Sequence, residues 1–191
     1  MIKFTYHTID TAPDDSKETL ASLKSAMGFI PNIFSVVANS GSALSGLVHL
    51  TTEFSHSSFT PQEQQVILMA TSTENECVYC VAGHSAFAKT LNISAEDISA
   101  LRHKENTSSP RYNVLANTVR QLVISKGRLS EDALVSFIAG GYNQAQFLEL
   151  VMGICVKTFT NYVSNALSVE LDDAFKPYAW QRPSEKHQNV A

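Results

Sequence analysis

Cysteine is scarce in this chain, and the scarcity limits what it can be. Three thiols in 191 residues are too few, and odd in number, for a disulfide-stapled scaffold, so a Cys-x-x-Cys pair here points to catalytic, redox or metal chemistry. A surplus of positive charge is missing too. Fourteen basic residues face eighteen acidic ones, a formal net charge of −4, with no basic run and no interleaving of basic and aromatic residues. That speaks against a nucleic-acid partner. No stretch approaches the ~18 uninterrupted apolar residues of a membrane span, and Met1-Ile-Lys-Phe-Thr-Tyr-His lacks the apolar core of a secretory signal. The expected location is therefore cytoplasmic, away from any membrane. Alternation of apolar and polar residues between turns is absent, which removes strands from the reading, and there is no internal repeat or low-complexity segment.

What remains is 44% hydrophobic and 17% charged, enough for a sizeable core. The expectation is one all-α domain over residues 1–191, of about seven to nine helices, with a short N-terminal arm ending at Pro13 and a frayed tail after about residue 181. The helix starts carry local signals. Asp14, Asp15 and Ser16 offer N-cap candidates for a helix with Leu20, Leu23 and Met27 on one stripe, stopped by Gly28. Pro31 suits the first turn of the next, and a further helix follows the Asn39-Ser-Gly41 break. Thr60-Pro-Gln-Glu63 combines a capping threonine, a first-turn proline and a glutamate at the third position. Ser94, Ser109-Pro110, Ser130 and Asn143 open four more helices, the last running to about Ser168. Cys155, inside the apolar run from Phe147 to Phe159, reads as an inert core thiol. Phe175, Tyr178 and Trp180 read as an aromatic anchor, packing on this subunit or on a neighbour.

The chemistry concentrates in Glu74-Asn-Glu-Cys77-Val-Tyr-Cys80-Val-Ala-Gly-His84. On a helix, at ~100° per residue, Cys80 and His84 are neighbours on one face, and Cys77 lies on the same stripe. The helix running into this stretch is expected to bend near Asn75 and restart around Cys77. A thiol reacts as its thiolate, and a helix start with an adjacent imidazole favours that form. By geometry Cys80 is the better nucleophile: attack on a peroxide would leave it a sulfenic acid, and Cys77, one turn earlier, would condense with it and release water. An external thiol reductant would then regenerate the pair, with no bound cofactor. His84 needs a partner to fix its tautomer, and the nearby carboxylates are Glu74, Glu76 and Glu63, with Glu74 ranked first. Tyr79 sits inside the motif as packing or as a pocket hydrogen-bond donor.

Plainer readings stand beside these. Both cysteines could be buried and inert, and Glu74 and Glu76 could be solvated or capping charges. A structural zinc site needs four ligands, and His49, His56 and His103 are scattered without ligand spacing, so no metal is expected.

The pattern Glu74-x-x-Cys77-x-x-Cys80-x-x-x-His84 resembles the alkylhydroperoxidase D-like (AhpD-like) branch of the carboxymuconolactone decarboxylase family. Gly28-Phe-Ile-Pro31-Asn32 and the Phe59-Thr-Pro-Gln-Glu63 lead-in are similar to its peroxidase-related members, so the likeness covers roughly residues 28–104. The resemblance implies an all-helical bundle that assembles into trimers or hexamers. It implies thiol-dependent peroxidase or disulfide-exchange activity on a hydroperoxide, with a thiol reductant or reductase partner in antioxidant defence. It also implies Cys80 as peroxidatic thiol, Cys77 as resolving thiol and His84 in a proton relay. Two positions depart from the pattern. The relay glutamate, twelve residues before Cys77, is replaced by Gln65, so that Glu74, or less well Glu63, would have to supply the carboxylate. A histidine found between the cysteines of some members is Tyr79 here. Alternatives are a decarboxylase acting on a lactone carboxylate, which would leave the thiols without purpose, and a redox-sensing oligomer without turnover.

Overall fold

The computed structural model describes residues 3–183. Among these residues the regular structure is nine α-helices and one short 3-10 turn (Lys176–Tyr178), with no strand. The helices are α1 (Asp14–Met27), α2 (Asn32–Val37), α3 (Gly41–Ser55), α4 (Pro61–Glu74), α5 (Val78–Thr90), α6 (Ala95–Arg102), α7 (Pro110–Ile124), α8 (Glu131–Ala139) and α9 (Gln144–Leu167). The all-α expectation holds.

Helix α4 is the axis of the packing, touching α5, α6, α7 and α9. Its segment from Val66 to Thr73 is buried on every side, as a helix without a polar face requires. The buried hydroxyls there bond back to their own helix: Thr71 Oγ1 to Ile67 O at 2.8 Å, Ser72 Oγ to Leu68 O at 2.7 Å and Thr73 Oγ1 to Ala70 O at 3.0 Å. No donor is stranded in the core by them. The start of α4 is the capping box read from the sequence, with Thr60 accepting from the Glu63 amide and Glu63 from the Thr60 amide. Close approach shapes the neighbouring contact between α3 and α9, where a Cβ on Gly153 would lie 2.5 Å from the ring of Phe54.

The other starts expected from Ser94, Ser109-Pro110, Ser130 and Asn143 are all side-chain N-caps. Helix α1 differs. Its N-cap is Pro13, with no capping side chain, while Asp14 and Asp15 occupy the first turn, where the unpaired amides favour negative charge. Ser16 turns inward and donates to Ala38 O at 2.9 Å. The N-terminal arm is tied to α2 by His7 N donating to Ser35 O at 3.1 Å and Ser35 Oγ to His7 O at 2.8 Å.

Phe175 and Trp180 are buried against this same chain. Arg102 holds the segment by donating to Tyr178 O at 2.9 Å and Ala179 O at 2.8 Å. The frayed end expected after about residue 181 lies mostly outside the described residues. Cys155 is exposed, contrary to its reading as a core thiol. The apolar run around it encircles α9, and only the face carrying Gly153, Val156, Lys157 and Thr160 turns inward. Among the described residues no helix is long and apolar enough to cross a membrane.

Candidate active site

The site begins with how α4 ends. Glu76 takes a left-handed conformation (φ 47°), Glu76 N donates to Thr73 O at 3.3 Å, and Cys77 N donates to Ser72 O at 3.0 Å. This is a Schellman closure made without glycine. It reverses the chain so that Cys77 becomes the N-cap of α5, its Sγ accepting from Cys80 N at 3.3 Å. The break expected near Asn75 is this turn.

Both thiols are buried, at 0% exposure for Cys77 and 3% for Cys80. They differ in what they face. Cys80 lines a cavity of about 290 Å³ walled mainly by apolar side chains, among them Ile33, Phe34, Leu68, Phe87 and Phe175, and Cys77 does not. Cys80 Sγ lies 4.0 Å from Thr160 Oγ1. Burial alone would raise the Cys80 thiol, but the hydrogen bond from Cys77, the charge of Lys157 and hydrogen bonds from Asn161 and Thr160 bring it down to about 6. The same pairing, followed by burial, pushes Cys77 well above the ordinary thiol range. Of the coupled pair, the thiol whose ionisation is favoured is the one that faces the cavity.

His84 lines the cavity one turn beyond Cys80, its Nδ1 2.8 Å from Gln65 Oε1. A carboxamide oxygen can only accept, so Nδ1 carries the hydrogen and Nε2 keeps its lone pair. Burial, and then the charge of Lys157, hold the imidazole well below its usual range, so it is neutral.

The carboxylate expected beside His84 is elsewhere. Glu74 stands nine residues, and so about half a turn, around α4 from Gln65. Its carboxylate pairs with Lys104 at 2.9 Å and approaches Arg120 at 3.8 Å. Glu63 also faces away from His84. It accepts from Arg111 Nε and from the Tyr142 hydroxyl, both at 2.9 Å. Burial opposes its charge, but the Thr60 amide, Tyr142 and Arg111 hold its carboxyl below the usual range. Among the described residues no acidic side chain lines the cavity. Tyr79 does line it, and its hydroxyl donates to Asp172 at 2.5 Å while accepting from Ile33 N at 3.3 Å. Burial, and then the Asp172 carboxylate, push that hydroxyl up, so it stays protonated. Asp172 also accepts from Asn32 N at 3.1 Å, which fastens the segment after α9 to the start of α2.

Lys157, Thr160 and Asn161 escaped the sequence reading. The available signal was a charged residue inside the apolar run of α9, followed by two polar ones at helical spacing. Among the described residues no three His, Cys, Asp or Glu side chains gather as metal ligands would.

Residues 45–116, from α3 into α7, match the model of the Carboxymuconolactone decarboxylase family. No curated protein matches the chain in sequence. In structure the chain is similar to an alkylhydroperoxidase AhpD core, an uncharacterized peroxidase-related protein from Ralstonia eutropha JMP134, at TM-score 0.82 and 17% identity, covering 91% of this chain and 93% of that one. It is similar to an uncharacterized peroxidase-related protein from Silicibacter sp. TM1040 at TM-score 0.77 and 17% identity, covering 92% and 97%. A third likeness is to a cysteine-to-alanine variant of the debrominase Bmp8 in complex with 2,3,4-tribromopyrrole, at TM-score 0.78 and 13% identity, covering 93% and 95%. The fold is AhpD-like.

Proposed function

We propose that this chain, whose fold is AhpD-like, is a thiol-dependent peroxidase that reduces small apolar hydroperoxides through Cys80 and Cys77. The observation that supports it is the division of the pair. The thiol with the lowered pKa faces an apolar cavity, and the thiol that keeps its proton is closed off behind it.

The cycle follows from that division. The Cys80 thiolate attacks the terminal oxygen of the hydroperoxide, the O–O bond breaks and the alkoxide leaves. His84 Nε2 accepts the hydroperoxide's own proton and passes it to the alkoxide, so thiolate and hydroperoxide become sulfenate and alcohol. The Cys77 sulfur then attacks the Cys80 sulfur, and the disulfide forms as oxygen leaves as water, taking the Cys77 proton and one from solvent. Two external thiols supply the two electrons and the hydrogens that restore the pair. Gln65 orients His84 and carries no proton, so the cycle has no carboxylate relay through Glu74 or Glu63.

The test is a panel of hydroperoxides run with several thiol reductants, with mass spectrometry of the cysteines. The expected result is turnover that Cys80→Ser abolishes, while Cys77→Ser leaves one oxidation event without recycling. Turnover by Cys80→Ser equal to the parent would overturn the reading.

A second reading is favoured by the aromatic walls of the cavity, Phe34, Tyr79, Phe87 and Phe175, together with the likeness to debrominase Bmp8. The thiolate would take the halogen from a flat ring, a proton would replace it, and Cys77 would displace halide as the disulfide forms. Thiol-dependent bromide release from a brominated heteroaromatic, with no turnover of any hydroperoxide, would select it.

We also propose a homo-oligomer, trimeric or hexameric. It is supported by large apolar side chains exposed along α9, with Leu148 70%, Phe159 40% and Tyr162 63% exposed.

A further inference from the structure

Lys157 is 8% exposed, and among the described residues its ammonium makes no ion pair and no side-chain hydrogen bond. It comes from the inward face of α9, one turn before Thr160, and lines the same cavity as Cys80 and His84. Its side chain lines the cavity with no carboxylate to pair with, and in that mostly apolar setting an anion held in the cavity would be its natural partner. Among the described residues the cavity lining holds no Asp or Glu. Glu63 and Glu74 are bound to Arg111 and Lys104 on the other side of α4, and Asp172 is held by Tyr79 and Asn32. His84 shares its Nδ1 hydrogen with Gln65 and brings no negative charge. Tyr79 keeps its hydroxyl proton on Asp172, which leaves Cys80, among the described residues, as the lining side chain able to supply an anion.

We infer that Lys157 is an anion subsite opened and closed by Cys80: filled by the thiolate in the reduced protein, it takes the carboxylate of a small apolar ligand once Cys80 loses its charge. The oxidised arm of this inference rests on the thiol cycle proposed above. It divides the ligands of the two half-reactions. The reduced cavity, with thiolate and ammonium both on its lining, is neutral overall and receives an uncharged hydroperoxide. The disulfide form holds an unmatched cation and draws a carboxylate-bearing thiol, the class of reductant assigned here. Two such thiols give up their hydrogens, the Cys77–Cys80 bond breaks, and a new disulfide forms between the two reductant sulfurs. Substrate and reductant then do not compete for one state of the site.

The test is calorimetric titration with hexanoate, with hexanol as the uncharged control. The proteins are the reduced parent, its Cys77–Cys80 disulfide form, Cys80→Ala, and Cys80→Ala combined with Lys157→Met. Hexanoate should bind the disulfide form and Cys80→Ala about tenfold more tightly than the reduced parent, hexanol should not discriminate, and Lys157→Met should remove the gain. Equal hexanoate affinity for the reduced parent and Cys80→Ala, or a gain that survives Lys157→Met, would overturn the inference. The Cys80→Ala arm needs no disulfide, so a failure of the peroxidase reading and a failure of the anion subsite are told apart. The disulfide arm in turn needs no substitution and stands if a variant does not fold.

Discussion

Gln65 accepts a hydrogen bond from His84 Nδ1 at 2.8 Å, and in doing so decides what the imidazole can do. With Nδ1 committed as donor and the ring neutral, Nε2 is an acceptor facing the cavity. Replacing the carboxamide by a carboxylate, Gln65→Glu, would put a negative charge against the same nitrogen and favour imidazolium. The expected outcome is a rise in the His84 pKa from well below 6.5, read by an NMR titration of the ring. A titration unchanged by the substitution would contradict the contact.

The thiol pair sets a pH dependence with a definite sign. The Cys80 thiol is brought down to about 6, so its thiolate predominates above that pH and falls roughly tenfold per unit below it. Alkylation by a neutral reagent should climb through about pH 6 and level off near pH 7, where an ordinary thiol near 8.5 would still be climbing. The rate of alkylation against pH, followed at Cys80 by mass spectrometry, checks this. The apparent value belongs to the Cys77–Cys80 pair.

Lys157 contributes to that lowering, second after the hydrogen bond from Cys77. Lys157→Met keeps most of the length of the side chain and removes the charge. The rising limb of the alkylation profile should move upward by about one pH unit, a tenfold loss of reactivity below the new midpoint. Lys157→Arg should restore much of it. A profile unmoved by Lys157→Met would show that the ammonium does not act on the sulfur.

Tyr79 joins α5 to the segment after α9 through Asp172 and to α2 through the Ile33 amide. Tyr79→Phe keeps the ring contacts with Phe175 and removes both hydrogen bonds. A charge-assisted hydrogen bond in a buried setting is worth ~1.5–3 kcal/mol. In a chain of this size that corresponds to a fall in Tm on the order of 3–12 °C. Thermal unfolding followed by circular dichroism measures it, and an unchanged Tm would mean that solvent replaces the hydroxyl without cost.

Much of this architecture is local and therefore legible in the sequence. A capping threonine, a first-turn proline and a glutamate at the third position act within one turn, and α4 begins where Thr60-Pro-Gln-Glu63 says it should. The break before Cys77 and the inward stripe of α5 are local in the same way. Glu74 was misplaced because its direction depends on whether α4 runs on through the cysteines. The left-handed Glu76 ends it instead, and counting around α4 alone puts Glu74 opposite Gln65. Lys157 goes unseen in the sequence, and Cys155 is read there as a core thiol, for a different reason. An apolar run that encircles a helix does not say which side faces inward, and only packing against α3, α4 and α5 makes Lys157 buried and Cys155 exposed. Asp172 is distant from Tyr79 in sequence, and no local pattern joins them.

The most direct measurement is mass spectrometry of the three cysteines after one equivalent of cumene hydroperoxide is added to the reduced protein, with the alcohol product counted alongside. The account predicts one cumyl alcohol per chain and a Cys77–Cys80 disulfide, with Cys155 unmodified. In Cys77→Ser it predicts a Cys80 sulfenic acid. Consumption of the hydroperoxide with Cys77 and Cys80 both left as free thiols would contradict it.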